Sequence, residues 1–245
     1  SSRTISYTMT ILGSILEQAV KDDIIPKNYM KNIDRPKQVK VRHMITLSVD
    51  EVKNFLSNIS NVEHHALFKL AFATGMRRSE LLGLRWSDID FKKSTISISQ
   101  TALKIGSTAV ISHTTKTTSS KRIIAIDTET LQELMKHKTV IDKRRIKTIN
   151  WINNNLVFPG IKGGPRCPDE VSKLCKKYAN LIDKPSFTMH GTRHTHATLL
   201  IENGANMKAI QERLGHASFQ ETMDTYSHVT PKMEDDIVER ISKIF

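Results

Sequence analysis

HGTRHTHATLLIENGANMKAIQERLGHASFQETMDTY, residues 190–226, is the stretch on which the reading of the whole chain turns. It gathers imidazoles, guanidiniums and a phenol into what otherwise reads as short helices. Arg193 follows His190 by three positions, so a helix brings both side chains to one face. His216 is bracketed by Leu214-Gly215 and by a turn-like Ala217-Ser218, and Tyr226 comes ten residues later. A cation, two proton carriers and a hydroxyl so arranged suggest chemistry on a phosphate. Taken singly, each residue has a plainer reading: a satisfied helix histidine, or a buried tyrosine with a bonded hydroxyl.

Working outward, 245 residues at 38% hydrophobic content suffice for a substantial core. Lys plus Arg number 37 against 25 Asp plus Glu, a formal charge of +12 that favours a polyanionic partner such as nucleic acid. Charge alone leaves a merely basic protein equally open. No apolar run reaches the roughly 18 residues of a membrane span and no leader opens the chain, so a cytoplasmic location is expected. Cys167 and Cys175 are too few for a disulfide framework or a four-cysteine metal site and read as ordinary thiols. The chain opens on Ser within an apparent helix and is expected to be a piece of a longer protein.

Along the chain, Ile5, Met9, Leu12, Ile15, Leu16, Ala19 and Val20 recur at helical spacing, and their stripe needs a partner. The basic stretch KQVKVRHM after Pro36 reads as an interdomain linker or a solvated loop. At Ser48 the pattern changes: S-x-x-E with Glu51 is a capping box, and a compact domain is expected from residue 46. HALFKLAFAT (65–74) is a helical run that stops at Gly75. STISIS (94–99), TAVIS (108–112) and KRIIAI (121–126) read as three strands of one small antiparallel sheet, with HTTKTTSS between the last two. Thr128 is the expected cap of the next helix, and 169–182 is another. The fold class is therefore mainly α with a small antiparallel β-sheet, α+β.

HGTRHTHATLL, LGHAS and TYSHV resemble the signature of the tyrosine recombinase (phage integrase) family, and ATGMRRSELLGLRW (73–86) resembles its upstream arginine motif. Order, gaps and flanking apolar residues agree across residues 46–245, the span of the family's catalytic domain. Gly191-Thr192 stands where the family commonly has Asp-Leu, a departure that bears on packing more than on chemistry. The resemblance implies residues 1–38 as part of a helical core-binding domain, 39–45 as a basic linker, and 46–245 as the catalytic domain with a C-terminal helix.

The resemblance also implies an activity: site-specific recombination or integration, cleaving and rejoining DNA through a 3′-phosphotyrosine without metal, ATP or other cofactor. Tyr226 matches the nucleophile, and its phenol, with an ordinary pKa near 10, needs a base or strong local positive charge. His190 matches the group that takes this proton. Arg77 and Arg193 match the paired arginines, whose planar forks suit a phosphate's non-bridging oxygens. His216 would donate to one of those oxygens, and Lys116 matches the hairpin lysine that protonates the leaving 5′-oxygen. Alternatives remain beside several of these. Arg78 competes with Arg77; Lys104 and Lys121 compete with Lys116; and Glu80 either orients Arg77 or forms a helical surface pair. His194, His196 and His228 read as structural or peripheral.

Implied partners are double-stranded recombination sites, sister protomers in a homotetramer, and an accessory directionality protein, with no membrane. The segment PKMEDDIVERISKIF (231–245) is amphipathic and would dock on a neighbouring protomer, or else on its own domain. Phage integration, transposon movement and chromosome resolution are not separated. Two other classes stay open: a non-catalytic DNA-binding regulator of the same fold, and a zinc hydrolase using His190, His194 and His196.

Overall fold

The computed structural model describes residues 2–36, 45–112 and 121–215, and the chain divides into two compact units, Ser1–His43 and Met44–Phe245. Lys116, His216, Tyr226, residues 37–44 of the basic stretch and the 231–245 segment lie outside the described residues.

In the first unit, α1 (Ser2–Lys21) is followed by a 3-10 turn at Tyr29–Asn32. Asn28 joins the two: its amide donates to Gly13 O (2.9 Å) and Glu17 Oε2 (2.8 Å), while its side-chain oxygen accepts from Met30 N–H (3.0 Å). The apolar stripe expected on this helix exists, and the described residues leave it largely uncovered, with Ile5 53% and Ile15 59% exposed.

The second unit is built around α3 (Val62–Thr74), which packs against α2 (Val49–Ser57), α5 (Thr128–Lys147) and α7 (Met189–Glu202). The capping box at α2 forms as expected: Glu51 N–H donates to Ser48 Oγ (3.2 Å) and Ser48 N–H donates to Glu51 Oε2 (2.8 Å). Helix α3 starts at Asn61, whose side chain accepts from His64 N–H, and ends at Gly75 with φ 63°. That left-handed residue is where glycine carries no Cβ penalty. Helices α4 (Arg78–Gly83), α6 (Pro168–Asn180) and α8 (Met207–Leu214) are the other α-helices among the described residues of this unit.

The core converges on Phe55, which is fully buried. Its ring meets Phe68, Phe72, Tyr178 and Phe187 at 5.1, 5.5, 6.1 and 6.0 Å, all edge-on, so α2, α3, α6 and the approach to α7 share one aromatic cluster.

The β structure departs from the expected single sheet. Strands β1 (Ile89–Asp90), β2 (Thr95–Ile98) and β5 (Arg122–Ala125) form an antiparallel sheet in that order, with Ile96 opposite Ile124 and both buried. TAVIS is not in it. As β4 (Thr108–Ser112) it pairs with β3 (Thr101–Ile105), whose residues TALKI did not read as a strand. The two-residue link Gly106-Ser107, with Gly106 at φ 59°, closes that hairpin locally. The cap of α5 also differs: Asp127, not Thr128, accepts from Thr130 N–H (2.8 Å) and Thr130 Oγ1 (2.7 Å), because a carboxylate one residue earlier reaches both donors.

Truncating Phe55 to alanine is expected to lower the unfolding free energy by about 3–5 kcal/mol, with Phe55→Leu losing clearly less. Urea unfolding measures both; a loss below about 1 kcal/mol for the alanine variant would place the centre of the core elsewhere.

Candidate functional site

Gly75 turns the chain out of α3 directly into Met76 and Arg77, and Arg77 is the N-cap residue of α4. Helix α7 runs beside α3 and brings His190 and Arg193 to the same place, one turn apart as the spacing predicts. Arg77, Arg78, Lys104, His190 and Arg193 all line one cleft of about 600 Å³. It is strongly cationic.

Arg193 lies at its floor, only 2% exposed, and donates through Nη1 to Gly75 O (3.0 Å), across 118 residues of sequence. Arg77, with a side chain 36% exposed, donates through Nη1 to Glu80 Oε1 (3.0 Å) and through Nη2 to Gly215 O (3.0 Å). Arg78, in the same cleft wall, donates to Pro168 O (3.3 Å) and to Ser172 Oγ on α6, which also line the cleft. Lys104 reaches the cleft from β3 and pairs with Asp169 at 2.6 Å.

Glu80 is not a surface partner of Arg77. It is 3% exposed, and besides the Arg77 side chain its carboxylate accepts Arg77 N–H (2.8 Å) and both terminal nitrogens of Arg122 (3.0 and 2.9 Å). Burial pushes this carboxyl's pKa up, but the Arg122 hydrogen bonds and charge, with Arg77 behind them, hold it below the ordinary carboxylate value. Arg122 then donates from Nε to Arg213 O (2.7 Å). The sequence reading passed over Arg122, although a signal was there: strand alternation puts it on the same face as the buried Ile124.

The histidines divide by role. His190 and His194 meet edge to face at 4.5 Å. His196 is buried, with Nδ1 2.7 Å from Phe72 O and Nε2 3.0 Å from Arg213 Nε. A carbonyl only accepts, so Nδ1 carries the proton and Nε2 accepts from the guanidinium. Both ring nitrogens are thereby engaged, and His196 does not join His190 and His194 as a zinc ligand. Among the described residues no group of three or more His, Cys, Asp or Glu could hold a metal ion. Gly191 faces the Phe187 ring, where a Cβ would come within 2.7 Å, so its departure from Asp-Leu does concern packing.

This mainly α-helical frame with two small antiparallel sheets is the architecture of tyrosine recombinase catalytic domains, and its cleft presents arginines from distant segments beside a helix-borne histidine. The chain belongs to the phage integrase family, whose pattern matches residues 46–233, and it is a site-specific tyrosine recombinase, a DNA strand-exchange enzyme. It is 29% identical to a tyrosine recombinase XerC-like protein of Caldanaerobacter subterraneus, covering 100% of this chain and 67% of that one. It is also 29% identical to the integrase of Staphylococcus phage L54a, over 98% of this chain and 71% of that protein. Among solved structures, the Tn1549 transposon integrase in complex with transposon right end DNA superposes with a TM-score of 0.79 at 26% identity, covering 99% of this chain and 80% of that one. None of these relatives supports the regulator or the hydrolase reading. No described helix is long and apolar enough to cross a membrane.

Burial, and then the Arg213 charge, pull the His196 pKa down to about 4. The unfolded chain titrates near the ordinary value of about 6.5, so below that pH it binds a proton that the folded state refuses. Stability should therefore be level above about pH 6.5 and fall by about 3 kcal/mol towards pH 4 on account of this residue. His137 and His64, also lowered by burial, add to the same slope. In urea titrations between about pH 7.5 and 5, His196→Asn should flatten the slope by up to one proton's worth; an unchanged slope would assign it to the other histidines.

Proposed function

We propose that the cleft holds the scissile phosphate and that Arg77, Lys116, His190, Arg193, His216 and Tyr226 are the residues that cleave and rejoin it. One observation carries this reading: Arg77, His190 and Arg193, brought from opposite ends of the catalytic unit, line the same cavity. Arg77 also grips the carbonyl of Gly215, the residue just before His216.

In this mechanism the Tyr226 phenolic oxygen attacks the phosphorus, its proton passing to His190. The bond from phosphorus to the 5′-oxygen breaks, and Lys116 delivers a proton to that oxygen. The products are a 3′-phosphotyrosine and a free 5′-hydroxyl. The reverse step, with a 5′-hydroxyl from a partner strand, rejoins the ends without external energy. As phosphorus becomes five-coordinate, charge grows on its non-bridging oxygens, and Arg77, Arg193 and His216 donate to them. A guanidinium suits this because it stays charged and offers two parallel donors.

Around the site, residues 1–38 are read as part of a helical DNA-binding domain, joined by a basic linker to the catalytic domain from residue 46. The uncovered stripe on α1 supports a further helical neighbour for that first unit. The substrate is double-stranded DNA in the cytoplasm, bound by a tetramer of this chain whose C-terminal helices exchange between protomers, with an accessory protein setting direction.

A nicked half-site incubated with the protein should yield a covalent adduct that survives SDS, persists in EDTA and is absent from Tyr226→Phe. An adduct formed by the phenylalanine variant would sink the assignment. Arg193→Lys should lower single-turnover cleavage at least about 10²-fold while half-site affinity stays within about threefold, because a point charge cannot replace the fork. Near-parental cleavage by that variant would remove Arg193 from the site. Binding of the parent protein should weaken steeply with salt as phosphate counterions are released.

A further inference from the structure

We propose that Arg122 is a positioning residue for strand cleavage: one guanidinium fixes both the carboxylate that aims Arg77 and the turn from which the chain continues to His216. The proposal rests on the reading above, in which Arg77 and His216 bind the scissile phosphate.

Arg122 does not line the cleft. It is the first residue of β5, opposite Ile98, and its side chain is 7% exposed behind the site. Its donors work in two directions. The two terminal nitrogens take both oxygens of Glu80, at 3.0 and 2.9 Å, while Nε donates to Arg213 O at 2.7 Å. The same guanidinium lies against Gly215: a Cβ there would come within 2.9 Å of Arg122 Nη1, and Gly215 sits at φ 67°. On the cleft side, Arg77 closes the ring, binding Glu80 at 3.0 Å and Gly215 O at 3.0 Å.

Two cations thus clamp one carboxylate and one turn, Arg77 from the cleft and Arg122 from behind. Neutralising buried Glu80 would need only one positive charge, which Arg77 already supplies. Holding Glu80 and the end of α8 at once needs a flat group with donors pointing two ways, which arginine has and lysine lacks. The Arg213-Leu214-Gly215 segment therefore has its place set by Arg122, and a shift there of the order of 1 Å is enough to cost about 10²-fold in rate.

Arg122→Lys separates the two roles, since an ammonium keeps the charge beside Glu80 but cannot also reach Arg213 O. The expected result is a folded protein whose half-site affinity stays within about threefold and whose single-turnover adduct formation falls about 10²-fold. A loss confined to the chemical step is what a purely structural role would not produce. Arg77→Ala is measured alongside. If it cleaves like the parent, the phosphate assignment itself fails. If it is inactive while Arg122→Lys cleaves within about threefold of the parent, the positioning role alone is overturned. Should Arg122→Lys not fold, the substitution is made in a Glu80→Gln background, which removes the buried charge, and is judged by the same two thresholds against Glu80→Gln alone.

Discussion

The cleft depends on one buried carboxylate, Glu80. Removing Glu80 from water costs several kcal/mol, and the cost is offset only because guanidinium and backbone N–H groups fill its lone pairs. Two guanidiniums against one carboxylate leave one net positive charge, and Arg193 adds another at the cleft floor. A site so wired is cationic by construction, and Arg77 cannot turn away without giving up its bonds to Glu80 and the Gly215 carbonyl. This is a stronger constraint than a surface ion pair, which would contribute about 0–1 kcal/mol and leave Arg77 free to swing.

Around that carboxylate the backbone repeats one device. Helices α3 and α8 both stop on a left-handed glycine, Gly75 and Gly215, and each glycine's carbonyl is held by an arginine proposed to bind phosphate, Arg193 and Arg77 respectively. Helix ends carry unsatisfied carbonyls and partial negative charge, so cations settle there. The two ends are also interlocked: a Cβ on Gly75 would strike His196 and Leu214 within 2.8 Å. His196 in turn donates to Phe72 O and accepts from Arg213, so the histidine that sequence reading set aside as structural fastens α7 to α3 and α8.

Much of this is legible in the amino-acid sequence. The capping box at Ser48, the stop at Gly75 and the shared face of His190 and Arg193 follow from local rules that operate within four residues. What escaped the reading is non-local. TALKI lacks strict alternation and forms a strand because TAVIS folds back on it; nothing inside either segment says that STISIS will pair with KRIIAI instead. Arg122 is in a strand where alternation marks an inward-facing position, but only the fold shows that a carboxylate from α4 waits there. On sequence alone Glu80 either orients Arg77 or forms a helical surface pair, and its burial rules out the surface pair. Lys116, His216 and Tyr226 were reached through motif resemblance, and their roles remain assigned on that basis.

The same geometry bears on how the cleft meets its ligand. Arg77 is held at its inner edge by Glu80 and the α8 turn while its side chain stays about one-third open to solvent. Arg193 is held by Gly75 O and almost wholly enclosed. In the proposed mechanism both guanidiniums are therefore oriented before the phosphate arrives, and neither must shed a full water shell or search among rotamers as charge develops. Transition-state charge is stabilised best by donors that need no reorganisation at the moment of reaction. Supplying that order from the protein's own carbonyls and one buried carboxylate means that the arginines' positions are part of the fold. On the proposed positioning role, the strand that carries Arg122 and the Gly215 cap of α8 matter to the chemistry as much as the residues lining the cleft.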